Sequence, residues 1–339
     1  MVSRIWLVVG LSVFLALAGC KKQPPAAAGR APAEVRLGYF ANLTHAQAVL
    51  GVDSGELAQN IAPAKLSTKI FNAGPSLVEA LFAREIDIGY IGPGPAINAH
   101  VRSAGQGVRL IAGASANGVL IVACKDSGIQ SLADLKGRTV ATPQLANTQD
   151  IAARHYLIHV LKQQDAKNVL PLANAEQLGM MKRGQIDASW AVEPWGSLLV
   201  SQADARVIAR EHELWPDGQV TLAVVITTPK FLAEHPQTVR RVLQVHQNWT
   251  ARLAQDPQRH VAALGAALYK ITGRSLPEGV LPTAISNVRF TDDPLEQTLV
   301  TMANWTHELG FARQKPDLAG LVDLTLLNEL RRAAPATQP

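Results

Sequence analysis

Polar residues that could bind a small charged molecule lie in four short segments, each directly after a predicted β-strand. The segments are residues 42–45, 92–95, 142–150 and 190–195. Ligands of open α/β sheets bind beyond the carboxyl ends of the strands, so a site is expected at these positions. The four segments contain no Arg or Lys, and His45 is their only potentially cationic side chain. The pattern therefore predicts an anion held by neutral donors.

The predicted ligand contacts combine helix-capping residues, small turn residues and an aromatic–carboxylate pair. Asn and Thr cap helices, and the free N–H groups at a helix start attract anions. Gly lets a ligand approach the backbone closely, and Pro suits the first helical turn. Plain N-capping or a rigid turn would explain the same residues without a ligand. The predicted contacts are Asn42, Thr44, His45, Gly92, Gly94, Pro95, Thr142, Asn147, Thr148, Trp190 and Glu193.

Glu193 leaves two interpretations open. It lies between Trp190 and Trp195, whose large apolar rings each carry one N–H donor. The carboxylate could hold the ammonium group of a ligand, or it could bond to the backbone of a turn. Asn147, with Asp150 three residues later, favours the start of a helix.

Catalytic and metal-binding patterns are weak in this sequence. It contains no Gly-x-Ser-x-Gly elbow, no His-Glu-x-x-His helix and no glycine-rich dinucleotide fingerprint. His155 and His159 are four residues apart but lack an evident third ligand, and Cys124 ends an apolar strand as a buried thiol would. We therefore expect no enzyme activity, no cofactor and no metal.

The first twenty residues predict export and lipid attachment. Arg4 precedes an apolar run, which ends Leu-Ala-Gly-Cys at Cys20. Residues 1–19 are the predicted signal peptide, and Cys20 is the predicted site of lipidation, including palmitate. An ordinary signal peptide or a short membrane anchor is the alternative, although the run is short for a bilayer span. The mature domain would lie on the periplasmic side, anchored to a membrane.

Composition limits the remaining possibilities. The chain has 339 residues, which is enough for two lobes after the leader is removed. The formal charge of +5 is mild, and the basic residues are not interleaved with aromatics, so nucleic acid is not an expected partner. Residues 20–33 form a Pro/Ala-rich tether, and residues 331–339 are predicted to be a disordered tail.

Strand-like and helical patterns alternate along the chain up to about residue 227, and the rest looks almost wholly helical. This alternation predicts an α/β fold with parallel sheets. Residues 76–79 match a capping box at the start of a helix. Residues 153–161 carry an apolar stripe typical of one buried helix face. The predicted strands are residues 35–39, 66–71, 86–91, 108–112, 118–124, 138–141, 168–172, 186–190 and 222–227.

Several stretches in order resemble the nitrate, sulfonate and taurine group of ABC-transporter solute-binding proteins. The resemblance covers roughly residues 34–330. It rests on residues 35–45, 85–95, 131–138, 141–148, 184–188 and 193–194. It implies a type II periplasmic-binding-protein fold, in which two α/β lobes are joined by two crossover strands and followed by a helical C-terminal tail.

The same resemblance implies how the lobes divide and what they bind. Lobe 1 would be residues 34–120 and 226–330, and lobe 2 residues 121–225, with residues 119–123 and 223–227 as crossover strands. A monomer would hold its ligand in the cleft and deliver it to an ABC permease. The implied ligand is an aliphatic sulfonate or taurine. Nitrate, bicarbonate, a thiamine-precursor pyrimidine, and presentation of ligand to a sensor kinase are the alternatives. Enzymes of this fold depend on a cysteine-rich motif that this sequence lacks.

Overall fold

The computed structural model describes residues 31–333, which form two β-sheets covered by helices. The strands are β1 (Glu34–Phe40), β2 (Lys65–Phe71), β3 (Ile88–Ile91), β4 (Arg109–Asn117), β5 (Val119–Ala123), β6 (Val140–Thr142), β7 (Val169–Pro171), β8 (Ala188–Val192), β9 (Arg206–Arg210), β10 (Thr221–Thr227) and β11 (Val288–Phe290). The α-helices are α1 (Ala46–Asp53), α2 (Glu56–Ile61), α3 (Gly74–Phe82), α4 (Pro93–Arg102), α5 (Thr148–His155), α6 (Asn174–Lys182), α7 (Trp195–Ala203), α8 (Pro229–Glu234), α9 (Pro236–Gln255), α10 (Val261–Thr272), α11 (Val280–Ile285), α12 (Glu296–Glu308) and α13 (Thr325–Ala333).

Each sheet combines a parallel part with antiparallel strands. The first sheet has the order β11-β4-β10-β3-β1-β2, and β10 runs antiparallel to both β3 and β4. The second has the order β7-β6-β8-β5-β9, and β5 runs antiparallel to both β8 and β9. Every residue of β5, β8 and β10 is buried, because these central strands have helices on both faces.

Separate apolar cores lie on the two faces of each sheet. One face of the first sheet packs on α1, α2, α9 and α10, and the other packs on α3, α4 and α12. The second sheet packs on α5 across one face and on α6 and α7 across the other. Helices therefore cover both faces of each sheet.

The chain passes between the sheets twice. It leaves the first sheet at Asn117 and enters the second at Val119, with Asn117 and Gly118 both at positive φ. It returns through residues 211–220 before β10. The two crossings are joined because the Asn117 N–H donates to the Val220 carbonyl at 2.8 Å. These crossings are where rotation of one lobe against the other would be absorbed.

Three predicted boundaries need correction. Val119 and Leu120 pair within the second sheet, and residues 221–225 belong to β10 of the first sheet, so both predicted lobe boundaries are displaced. At the C-terminus, α13 runs to Ala333, so residues 331–333 are helical and are not part of a disordered tail.

The predicted signal peptide, Cys20 and most of the tether lie outside the described residues, as do residues 334–339. Between residues 31 and 333, none of the helices has both the length and the apolar character needed to cross a membrane.

Candidate functional site

A small cavity lies between the two sheets, where loops from both meet. Its volume is about 30 Å³, which is room for roughly two water molecules. Seven of the predicted contacts line it: Asn42, Thr44, His45, Gly92, Pro95, Asn147 and Thr148. The sequence analysis placed these residues in three separate segments, and the fold brings them to one place.

The segment after β1 presents neutral hydrogen-bonding groups to this cavity. The Thr44 hydroxyl donates to Asn42 Oδ1 at 2.7 Å, which fixes the Asn42 amide. Asn42 occupies the N-cap position of the short helix that follows, but its side chain makes no capping bond. Because Oδ1 accepts the bond from Thr44, the Nδ2 group is the donor that this amide can offer to a ligand.

His45 is a neutral donor in this environment. Complete burial lowers the pKa of His45 to about 3, so the imidazole carries no charge at ordinary pH. The backbone N–H of Phe40 donates to His45 Nδ1 at 3.1 Å, and the two rings stack with centroids 4.3 Å apart. Because Nδ1 accepts this bond, the proton of the neutral ring resides on Nε2.

The turn after β3 makes close contact with the start of α5 from the other sheet. The Gly94 N–H donates to Thr148 Oγ1 at 3.3 Å. A Cβ atom on Gly92 would lie 2.3 Å from the same oxygen, and a Cβ on Gly94 would lie 2.9 Å from Ile151 Cδ1. An added methyl group would therefore crowd the contact between the two lobes, more severely at Gly92 than at Gly94, where the flexible end of Ile151 can move. Gly94 forms this contact and does not line the cavity.

Asn147 caps α5, as the sequence predicts. Its Oδ1 accepts from the Asp150 N–H at 2.8 Å. Thr142 is fully buried behind the cavity, where its hydroxyl donates to Asp150 Oδ1 at 2.9 Å. Arg154 Nε also donates to Asp150, at 2.8 Å, so this guanidinium is engaged away from the cavity. Thr142 thus supports the loop and is not a lining residue, contrary to the prediction.

Four helices direct their N-termini at the cavity. Gly74 starts α3, Gly92 precedes α4, Thr148 starts α5 and Asn174 starts α6, and all four residues line the space. The first N–H groups of a helix have no intrahelical acceptor, and the helix dipole adds a partial positive charge there. Helix α4 contributes its dipole alone, because Pro93 and Pro95 have no N–H and the Gly94 N–H already donates to Thr148 Oγ1. The described lining residues contain no Arg, Lys, Asp or Glu. The positive potential in the cavity therefore comes from backbone groups.

Trp190 and Glu193, which are also predicted ligand contacts, do not line the small cavity. Trp190 is 1% exposed, and its indole N–H donates to Glu211 Oε2 at 2.9 Å. Glu193 accepts from the Ser197 N–H at 2.9 Å, the Ser197 hydroxyl at 2.8 Å and Asn287 Nδ2 at 2.6 Å. Burial raises the pKa of Glu193, and these bonds with the Arg210 charge oppose the rise. The carboxylate is satisfied by protein donors, which removes the basis for an ammonium contact.

Other lining residues were missed from the sequence. Asn72 directly follows β2, and Asn174 follows the β7 segment at the first position of α6, where Asn174 Oδ1 is buried without a hydrogen-bond partner. Both strands were predicted, so the same rule of looking just after each strand would have found these residues. Gln149 is the second residue of α5 and is 6% exposed. The missed lining residues that matter most are Phe40, Asn72, Gly74, Gln149, Asn174 and Val192.

Comparison with known proteins agrees with this architecture. The model of the NMT1-like family matches residues 28–266. A Brucella abortus protein named only as a binding protein is 26% identical over 57% of this chain, and the chain spans just 59% of its length. A Bacillus subtilis protein named for aliphatic sulfonates is 24% identical over 95% of this chain and 96% of its own. The taurine-binding periplasmic protein of Escherichia coli is 27% identical over 50% of this chain and 52% of its own.

Solved structures confirm the predicted fold. The alkanesulfonate-binding protein SsuA of Xanthomonas axonopodis pv. citri, bound to MOPS, superposes with a TM-score of 0.72 at 22% identity, covering 87% of this chain and 99% of its own. The periplasmic nitrate-binding protein NrtA of Synechocystis PCC 6803 gives a TM-score of 0.71 at 14% identity, covering 90% of each chain. The two-sheet architecture is therefore the type II periplasmic-binding fold.

Proposed function

We propose, from the premise that this chain belongs to the NMT1-like family, that it is the extracytoplasmic solute-binding component of an ABC importer. Its ligand is a small organic anion with a sulfonate group. The relatives named for aliphatic sulfonates and taurine support this choice of ligand class.

The observation that carries the proposal is the convergence of four helix N-termini on a cavity whose described lining has no permanently charged side chain. Helix N-termini bind anions through free N–H groups without a counter-ion. A sulfonate spreads one negative charge over three oxygens, which suits several neutral donors arranged around it. A phosphate with two charges would be desolvated here at a higher cost.

The geometry favours a simple alkanesulfonate over taurine. Taurine carries an ammonium group, which needs a carboxylate or several acceptors when it is buried. Glu193 was the candidate carboxylate, and its oxygens are occupied by Ser197 and Asn287. The described residues around the cavity contribute no other acidic group.

A binding role fits the site better than catalysis. General acid–base chemistry needs a titratable group whose pKa lies near the working pH. The one ionisable side chain among the described lining residues is His45, whose pKa burial lowers to about 3. Contact between the lobes through Gly94 and Thr148 instead suits a clamp that closes around its ligand.

Lipid attachment at Cys20 is part of the proposal. The Leu-Ala-Gly-Cys sequence at residues 17–20 supports attachment of a diacylglycerol to the Cys20 sulfur, with Cys20 becoming the mature N-terminus. Because one acyl chain binds a membrane only marginally, stable anchoring requires a multiply acylated cysteine. The Cys20→Ser variant should remain unprocessed or mislocalised, and an unmodified mature N-terminus in mass spectrometry would contradict the anchor.

A thermal-shift screen tests the ligand class. Ethanesulfonate, taurine, nitrate, bicarbonate and a thiamine-precursor pyrimidine are compared on the purified protein. A ligand present at one hundred times its dissociation constant stabilises the folded state by about 2.7 kcal/mol, which raises the melting temperature measurably. We expect the sulfonate to give the largest shift. A shift with nitrate or the pyrimidine and none with ethanesulfonate would contradict the assignment.

A further inference from the structure

A larger space adjoins the small cavity at the mouth of the cleft. This mouth cavity has a volume of about 330 Å³. It shares four wall residues with the small cavity, namely Phe40, Asn42, Asn72 and Asn174. The mouth cavity is therefore the adjoining space into which a ligand held by its charged group in the small cavity can extend its remaining atoms.

A third space continues from the mouth cavity between the lobes. This apolar cavity has a volume of about 250 Å³. Five residues line both the mouth cavity and the apolar cavity, so the two adjoin: Ala41, Ala175, Trp195, Thr272 and Arg274. The three spaces thus lie next to one another, starting at the helix N-termini.

The walls of the apolar cavity come from both lobes and are largely aliphatic or aromatic. Helices α6 and α7 of the second sheet contribute Leu178, Trp195 and Leu198. The end of α10 and the loop after it contribute Leu268 and Leu276. Leu198 and Leu268 are buried, at 8% and 4% exposed, while Trp195 is half-buried. Because the two halves of this wall belong to different lobes, closure of the cleft would assemble it around a bound molecule.

We propose that the mouth and apolar cavities form a binding site for the hydrocarbon part of the ligand. The preferred ligand is then a sulfonate with an unbranched or aromatic substituent of about six carbons or more, and a one- or two-carbon sulfonate binds more weakly. This inference rests on the proposed function, since it places the charged group at the helix N-termini. Apolar walls of this kind take up apolar ligand atoms with a few polar groups fixing orientation.

Arg274 is exposed and lies where the mouth and apolar cavities adjoin. It is the one charged residue among the described residues that line the mouth and apolar cavities. An Arg stem can cover apolar ligand atoms while its guanidinium stays in water. The site therefore also accepts a ligand whose far end carries a polar group that reaches solvent.

Calorimetry with two sulfonates of different length tests the inference. Hexanesulfonate and ethanesulfonate are titrated into the wild-type protein. Each fully buried methylene contributes about 0.8 kcal/mol, which corresponds to about a fourfold change in affinity. We expect hexanesulfonate to bind at least tenfold more tightly. Equal affinities would overturn the tail site while leaving the proposed function intact, whereas no binding of either sulfonate would overturn both.

A variant that fills the proposed site for the hydrocarbon part of the ligand tests where that part binds. Ala175 is exposed and lines both the mouth and apolar cavities, so Ala175→Trp fills the connection without disturbing a core. The preference for hexanesulfonate over ethanesulfonate should fall to about threefold or less. Ala263→Trp places the same ring on the exposed face of α10, away from these cavities, and is the matched control. An undiminished preference in a folded Ala175→Trp protein would contradict the assignment.

Discussion

At the scale of single residues, the candidate site relies on donors that carry no net charge. His45 is neutral because it is buried, Asn42 is fixed by Thr44, and the remaining donors are backbone N–H groups and uncharged hydroxyl and amide side chains. Such a site binds an anion without the cost of first desolvating a cationic side chain. Because His45 stays neutral, ligand binding should not depend on pH over the range in which an exposed histidine would titrate.

The first prediction concerns this insensitivity. The affinity for hexanesulfonate should change by less than threefold between pH 5 and pH 8, because His45, with its pKa lowered to about 3, stays neutral throughout. Calorimetric titrations at several pH values measure it directly, with the sulfonate charge constant over the range. A rise in affinity towards acid with a midpoint near pH 6 would show that His45 binds ligand as a cation.

The second prediction concerns the hydroxyl of Thr148. It lines the cavity at the start of α5 and also accepts from the Gly94 N–H of the other lobe. Hydrogen bonds to charged groups contribute about 1.5–3 kcal/mol, so Thr148→Ala should weaken sulfonate binding roughly tenfold or more. Thr148→Ser keeps the hydroxyl and should stay close to wild type. Unchanged calorimetric affinity in a folded Thr148→Ala protein would remove Thr148 from the site.

At the scale of elements, most strands could be predicted from the sequence because buried parallel strands are continuous apolar runs. Two strands were missed. Strand β11 has only three residues, and it exists because it pairs with β4, far away in the sequence. Strand β9 is an edge strand with Arg at both ends, so its pattern alone is weak. Both strands form because they pair with strands that are distant in the sequence, and no local pattern shows such pairing.

Two helix details were predicted wrongly for local reasons. Helix α3 starts at Gly74 and not at Ser76, since Pro75 occupies its first turn and the Ser76 hydroxyl donates back to the Ala73 carbonyl at 2.9 Å. The apolar stripe after α5 is interrupted because residues 156–160 form a π-helical turn. The wider turn changes the phase of the helix, so Leu157 is buried while Val160 is 52% exposed.

The candidate site was predicted in part because capping residues and post-strand turns are visible in sequence. The start of α5 at Asn147 could be predicted because Asn is a capping residue and Asp150 follows three residues later. The direction of Trp190 and Glu193 does not, because both side chains turn into interior contacts that form only when distant segments meet. The sequence therefore indicated the strand ends that form the site, but it did not show that the side chains of Trp190 and Glu193 turn away from the cavity.

The third prediction concerns the contact between the turn after β3 and the start of α5. In Gly92→Ala, the added methyl would lie 2.3 Å from Thr148 Oγ1, so the lobes cannot approach as closely. Overpacking of this kind costs about 1–3 kcal/mol, and ligand affinity should fall by about tenfold. The double variant Gly92→Ala with Thr148→Ala removes the clashing oxygen and should bind about as well as Thr148→Ala alone. Wild-type affinity in Gly92→Ala would show that closure does not use this contact.

At the scale of the whole molecule, buried carboxylates lie where the two lobes are joined. Glu193 accepts from Asn287 of the first lobe, and Arg210 at the end of β9 also donates to Asn287. Glu211, in the returning crossing, accepts from the indole N–H groups of Trp190 at 2.9 Å and Trp215 at 3.2 Å. Burial raises the pKa of Glu211 to about 7 against these two bonds. The region where the two lobes are joined therefore contains buried polar groups, one of which, Glu211, has a pKa near neutral.

The fourth prediction follows from Glu211. Its folded-state pKa of about 7 lies above the unfolded value of 4.5, so the folded state binds more protons between these values. The stability that Glu211 contributes is full below pH 4.5 and is lost as pH rises through 7. The stability of wild type relative to Glu211→Gln should thus fall by roughly 2 kcal/mol from pH 5 to pH 7. Urea unfolding at both pH values measures this, with Glu213→Gln, an exposed neighbour, as control. A pH-independent difference would contradict the assignment.

The most direct test of the account is a crystal structure of the protein with hexanesulfonate. The account predicts the sulfonate oxygens in the small cavity, within hydrogen-bond distance of the first N–H groups of α5 and of Thr148 Oγ1, with the carbon chain directed towards Trp195. A sulfonate bound elsewhere, or an empty cavity at saturating ligand, would contradict the central claim that converging helix N-termini bind the anion.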